Sequence, residues 1–336
     1  MAAHSLIKGL IVGSGLLAAA VQASSGDHRL NARDNGGYRP EPQGHFVCVE
    51  QHKIVKVTVG EPGGECTMTT AYPGTSVGYP PGTTLTPTPT STPPPAFSCD
   101  EGGYLVQGTV LYRLNLETGD NPAVNENVGP GGNINAIGYN ILDNYLYGFV
   151  AVSGGRWQLI QIDAEGGHQL LPLTVDRFYS TGDIDANGQL WIGASGTTAW
   201  AQIDLDPDSA RYGQLVDSGT MKVPGNFVAD WVFLENGGPY LYSIAWSTTA
   251  RLVRWSIERK EWTEVRDYGN VTPAAPQFGA LYAVGDEMWG SDNASGKIIA
   301  FPVLDDNAPA RDISAGPPSN SNDGARCFAA PAPSNR

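Results

Sequence analysis

Carboxylates and aromatic rings are the side chains through which this sequence could do chemistry, because the other usual agents are nearly absent. Past Ala23 the histidines are His28, His45, His52 and His168, and only His168 lies beyond residue 98, in the turn Glu165-Gly-Gly-His168. A Ser-His-Asp triad or a histidine-bound metal has almost nothing to be built from. Cys48, Cys66, Cys99 and Cys327 form no C-x-x-C pair that would suggest zinc or redox work. Asp183-Ile-Asp185-Ala-Asn187-Gly188 matches the first half of a calcium loop, but the twelfth position, where a bidentate Glu belongs, is Ala194. Its Asn-Gly reads instead as a hairpin turn. Gly129-Pro-Gly-Gly132 lacks the strand and helix that a phosphate loop requires. No metal and no cofactor are expected.

The elements that must position the remaining groups form a repeat. An aromatic-centred strand recurs as Tyr145-Leu-Tyr147-Gly, Leu190-Trp191-Ile-Gly, Tyr240-Leu-Tyr242-Ser and Met288-Trp289-Gly-Ser, with a degenerate copy Tyr104-Leu-Val106-Gln. Its anchors at 106, 147, 191, 242 and 289 stand 41 to 51 residues apart. Upstream, a segment centred on a small residue recurs at Gly138, Gly182, Ala229 and Gly279, and the copy missing ahead of Tyr104 stands at the other end of the chain, in Asn322-Asp323-Gly324-Ala325-Arg326-Cys327. A period near 45 residues with several short strands predicts propeller blades. The expected fold is therefore all-β, a five-bladed β-propeller over 98–330 in which the C-terminal strand completes blade one. Sharing a blade between both termini stops the ring from opening at its join. The same placement brings Cys327 near Cys99, a bridge worth on the order of 4 to 5 kcal/mol in the chain-entropy model.

Around the small residues, Tyr139, Asp183 and Asp230 stand one position after and Asp323 one position before, so they share a strand face. If that face lines the channel, Asp183, Asp230 and Asp323 converge at its mouth as candidate acids; otherwise they hydrogen-bond backbone amides at the blade tops. Of the eight tryptophans, most sit where blades must pack. Trp246 and Trp262 fall off the repeat and are, with Tyr139, Asp183 and Asp230, the candidate ligand contacts.

Residues 1–23 read as a signal peptide: Lys8, an apolar run from Leu10 to Val21, then Val21-Gln22-Ala23 before Ser24. Residues 24–78 form a small, partly disordered segment whose alternating Lys53 to Val59 run suggests a β unit tied by Cys48 and Cys66. Residues 79–97, rich in Pro and Thr, cannot bury a core and read as an extended, O-glycosylated linker. Residues 331–336 are a tail. A formal charge of −14, from 20 basic and 34 acidic residues, argues against nucleic acid and anionic membranes as partners. Asn270-Val-Thr272 and Asn293-Ala-Ser295 are N-glycosylation acceptors, with Asn293 favoured because Pro273 follows the other.

Asn133 to Gly148, Cys99-Asp-Glu-Gly-Gly-Tyr-Leu105 and Asn322 to Cys327 together resemble a family of secreted, mostly fungal propeller-like domains of unknown function, over about residues 98–330. The resemblance implies the fold and an extracellular location and supplies no catalytic residue. The leading functional expectation is a non-enzymatic extracellular binding module for a glycan or a cell-surface or cell-wall protein. The runner-up is a carboxylate-based glycoside hydrolase, since five-bladed propellers include such enzymes. A spacer without a specific small ligand is the third.

Overall fold

The computed structural model describes residues 93–333 apart from 195–198, 222–227, 246–247 and 273–276, together with the backbone of four strands nearer the N-terminus. Those four, Ile7–Gly13, Leu16–Val21, Phe46–Glu50 and Lys53–Val57, form one antiparallel sheet in chain order. Two of them run through the expected signal sequence, and the last takes up the alternating run. The chain divides into two compact units, Met1–Thr90 and Ser91–Arg336. The Cys48–Cys66 bridge and the role of Trp246 lie outside the described residues.

The second unit is all-β and builds five four-stranded antiparallel blades, each strand hydrogen-bonded to the next. Blade two runs outward through Ile134–Asn140, Tyr145–Val152, Arg156–Ile162 and His168–Val175. Blade three follows with Thr181–Ile184, Gln189–Gly193, Ala199–Asp204 and Gln214–Thr220. Blade four has Val232–Phe233, Tyr240–Ala245, Arg251–Ser256 and Trp262–Asp267; blade five has Phe278–Val284, Glu287–Asp292, Lys297–Pro302 and Arg311–Ala315. In blade one the inner strand is Asn322–Ala325, paired from Asn322 with Gln107 to Ala325 with Tyr104, ahead of Gly103–Gln107, Val110–Leu114 and Ala123–Asn125. The five-bladed propeller closed by its own C-terminus is thus the observed fold.

One register differs from expectation. The inner ladder of blade four is Val232–Phe233, not the segment around Ala229. The reason is local bonding: Asp230 Oδ1 accepts from the Trp231 amide at 2.8 Å and the Ser243 hydroxyl donates to the Asp230 carbonyl. Residues before Trp231 are held by these bonds in place of ladder pairing.

The recurring small residue has a steric cause. A Cβ on Gly138 would stand 2.8 Å from the Ile184 nitrogen, and one on Gly182 would stand 2.3 Å from the Ala136 carbonyl carbon. Neighbouring inner strands therefore meet backbone to backbone, which a side chain would prevent. Further out, large apolar side chains fill the wedge between blades. Between blades three and four, Trp191, Trp200, Trp231 and Trp255 pack with ring centroids 5.4 to 6.1 Å apart. The Lys260 Nζ lies 3.9 Å from the Trp191 centroid and caps this seam.

Both ends of the propeller chain are fastened on one face. The Cys99–Cys327 disulfide spans 228 residues with Cα atoms 5.3 Å apart, a closure worth about 5 kcal/mol in the chain-entropy model. Tyr145 donates to the Pro94 carbonyl at 2.7 Å, Ala164 to that of Pro95 at 2.9 Å, and Phe97 donates to that of Asn144 at 2.8 Å. The propeller thus takes in Pro94 and Pro95 of the proline run. Among the described residues no helix is long and apolar enough to cross a membrane.

Candidate functional site

All five inner strands start at one face of the ring and end at the other, so their first residues surround one end of the central channel. A cavity of about 320 Å³ opens there, and every blade contributes to it: Asn320, Ser321 and Asn322 from blade one, Asn133 and Asn135 from blade two, Phe178 and Ser180 from blade three, Ala229 from blade four, and Gln277, Gly279 and Asn293 from blade five. Among the described residues no ionisable side chain lines it. A second cavity, of about 280 Å³, sits beside blade one among Gly102, Arg113, Leu116 and Pro333, away from the channel.

The parity of the lining explains which residues reach the mouth. Ala229 and Gly279 are small-residue positions, and Ser180, Gln277 and Asn322 stand two before them. Side chains two apart share a face, so the mouth is lined from the small-residue face, while the face carrying Asp183 turns that carboxyl to a backbone amide of the next blade, below the mouth. Blade two reaches the same result through a bulge between Asn135 and Gly138. Within it Ala136 adopts φ +55°, a left-handed conformation that costs a non-glycine residue of order 1 kcal/mol or more. The Asn135 amide oxygen accepts from the Ala136 N–H at 3.1 Å, which fixes the turn.

The mouth amides are partly tied to each other across blades. Asn322 donates to the Asn293 amide oxygen at 3.0 Å and accepts from Gln107 at 2.7 Å, while Asn133 donates to the Ser321 hydroxyl at 3.3 Å. Asn133, Gln277 and Asn320 are exposed on the rim. Phe178, 44% exposed, stands at the edge with its ring centroid 4.8 Å from that of the half-buried Trp157.

The three candidate acids are brought near the axis but are not presented to the mouth. Each is buried and accepts from a backbone amide of the next blade: Asp323 from Ile137 at 3.2 Å, Asp183 from Phe233 at 2.7 Å, Asp230 from Leu281 at 2.9 Å. They tie neighbouring blades together, the backbone-bonding role that the sequence left open beside the acid one. Burial pushes the Asp183 carboxyl up to about 8, against the opposing pull of the Phe233 and Ile184 amides. Burial also raises Asp230 and Asp323, and for Asp230 the nearby Asp323 adds to it. Asp323 Oδ1 and the Tyr282 hydroxyl are buried with no hydrogen-bond partner among the described residues.

The other candidates also lie elsewhere. Tyr139 is at the opposite end of the channel, 1% exposed, stacked with Tyr104 and donating to Asn144 at 2.9 Å. Trp262 packs half-buried against Trp231, its centroid 6.0 Å away, on the outer strand of blade four. It belongs to the tryptophan seam, because the outer strand lies over the wedge between blades. His168 opens the outer strand of blade two and its Nδ1 accepts from the Gly129 amide at 3.3 Å. In the half calcium motif, Asp185 spends its carboxylate on Asn187, Gln189 and the Trp191 indole. Among the described residues no group of three or more His, Cys, Asp or Glu side chains is placed to hold a metal ion. The mouth residues escaped sequence reading, although polar side chains two before the small residue, at Ser180, Gln277 and Asn322, were a usable signal.

Fold and site together define a five-bladed propeller with a cavity at one end of its channel that the described residues line with amides and hydroxyls. Residues 102–329 match the family described as "Repeat of unknown function (DUF6923)", and the chain belongs to that family. No curated protein matches the sequence. Among solved structures, the chain is similar to virginiamycin B lyase from Staphylococcus aureus at 13% identity and a TM-score of 0.37, covering 91% of this chain and 83% of that one. It is also similar to a chain of a nidogen/laminin complex at 10% identity and a TM-score of 0.41, covering 64% and 78% respectively.

Proposed function

We propose that this protein is an exported, non-enzymatic binding module that takes an extracellular glycan at the mouth of its channel. The observation that carries the reading is the lining: five blades converge on one cavity whose polar groups, among the described residues, are amides and hydroxyls with no ionisable side chain. Amides donate and accept, as sugar hydroxyls do, so such a lining suits a neutral polyhydroxylated ligand. A leader-like N-terminus, a Pro/Thr-rich linker and a long-range disulfide fit extracellular work, in which cell-wall association is a natural setting. The glycosidase reading loses support because it needs two carboxyls facing a cleft, whereas Asp183, Asp230 and Asp323 are engaged with backbone amides.

The test is a glycan array probed with the full secreted chain and with its Gln277→Ala and Asn320→Ala variants. Binding of at least one neutral glycan is expected, weakened in both variants. Absence of binding to every glycan on the array would overturn the glycan reading in favour of a protein partner.

A further inference from the structure

The cavity has a shape that selects how a ligand enters. It is about 320 Å³, near the lower end of the roughly 300–1,000 Å³ of small-molecule sites. It does not continue as an open passage, because below it Asp183, Asp230, Asp323 and Tyr282 lie buried. The far end of the channel is shut as well. There the C-terminal segment crosses from blade one to blade four, where the Phe328 ring meets Phe233 at 5.2 Å between centroids. Buried Arg326 pins this segment through the Ala283 and Pro331 carbonyls, both at 2.5 Å.

Two further observations limit what can occupy this blind cavity. Among the described residues its lining has no Lys or Arg to neutralise an acid, and the chain carries a formal charge of −14, so an anionic group finds no partner among them and meets a repelling field. At the rim stands an exposed aromatic ring, Phe178, backed by Trp157. An aromatic face backed in this way offers a rigid apolar platform for the C–H side of a sugar ring.

Resting on the glycan reading above, we infer that the mouth is a blind subsite for the uncharged, non-reducing end of a glycan, which enters end-on and stacks its terminal ring on Phe178. Internal stretches of a polysaccharide are then excluded by shape, and chains ending in a uronic or sialic acid by charge.

The experiment measures binding of the full chain to cello-, chito- and manno-oligosaccharides immobilised through their reducing ends. Each is compared with the same oligosaccharide capped at its non-reducing end by a uronic acid and with a form capped there by a bulky neutral group. Wild type is expected to bind a neutral free end and to lose at least about tenfold in affinity on either cap. Phe178→Ala is expected to weaken binding about tenfold, with Phe178→Tyr restoring it. Because Phe178 is exposed, unchanged melting of both variants separates loss of the platform from loss of the fold. Binding that ignores the caps, or a Phe178→Ala variant that binds like wild type while Gln277→Ala does not, overturns the end-on inference and leaves the glycan reading standing. Failure to bind any of these sugars, or any other glycan, overturns the glycan reading itself.

Discussion

The two ends of the channel are made from the same inner strands and differ in what those strands carry. At the starting ends stand Asn135, Ser180, Gln277 and Asn322 around a cavity. At the finishing ends Tyr139, Phe97 and Tyr104 pack together, and the tail from Cys327 to Pro331 is laid across and pinned by Arg326. Apolar rings and a covalent tie make an end that holds; short amides around a void make the end to which we assign binding. Pro94, Pro95 and Phe97 are bonded at the closed end as well. On the proposed reading, stability and recognition fall to opposite faces of the propeller, and each can be disturbed with little effect on the other.

The largest effect is expected from breaking the closed end. Truncation before Asn322 removes the inner strand of blade one, the Asp323 tie to blade two and the partner of Cys99. These together exceed the roughly 5–15 kcal/mol margin of a typical domain, so no cooperative melting and no secreted product are expected. Cys327→Ser alone keeps the strand and should cost about 2–5 kcal/mol, read as a lowered denaturation midpoint with unchanged glycan binding at moderate temperature. A truncated chain that melted like the full propeller would refute closure through blade one.

An intermediate effect belongs to the middle of the channel. Asp183, Asp230 and Asp323 have native pKa values raised above the usual 3.8 by burial, so the folded protein holds protons that the unfolded chain has released. Stability then falls as pH rises from about 4 towards 8, by up to about 1.4 kcal/mol per pH unit for each proton retained. Buried Asp185 shifts in the same direction; exposed Asp267, lowered by its bonds to Thr249 and Gly269, opposes weakly. Thermal melts across this range should show the highest midpoint at the acid end, with a shallower slope in Asp183→Asn. A midpoint that rose with pH would contradict the placement of these carboxyls.

How much of this was legible in the sequence differs between the two ends. Closure was readable because it depends on backbone: strand period, the small residue where strands touch and the stray copy at Asn322 to Cys327 are local signals with a geometric meaning. The site was not readable, because facing is decided by parity. The one-residue choice between the Asp183 face and the Gly182 face sends every side chain to the opposite side. Tyr139 was singled out beside the small residue and Trp262 because it falls off the repeat, yet both rings pack against other rings of the blades. Phe178, an exposed ring at the cavity edge, lies in a connecting segment where no period marks it.

The smallest effect concerns modification near the open end and bears on whether that end is free to bind. The spacing of Asn293-Ala-Ser295, with no proline after it, favours Asn293 over Asn270 as glycan acceptor. Structure points the other way. Asn293 is 7% exposed and its amide oxygen accepts from Gly279 and from Asn322, whereas Asn270 is exposed between blades four and five. A glycan on Asn293 would need its amide nitrogen freed from a crowded wall of the cavity and would fill the mouth it helps to line. Removing that wall's hydrogen bonds would cost on the order of 1 kcal/mol each. Mass spectrometry of material secreted from a eukaryotic host should therefore find Asn293 unmodified and any N-glycan on Asn270. Asn270→Gln should abolish N-glycosylation with little change in melting or glycan binding. An occupied Asn293 in protein that still binds sugar would show that the mouth and the binding site are different places.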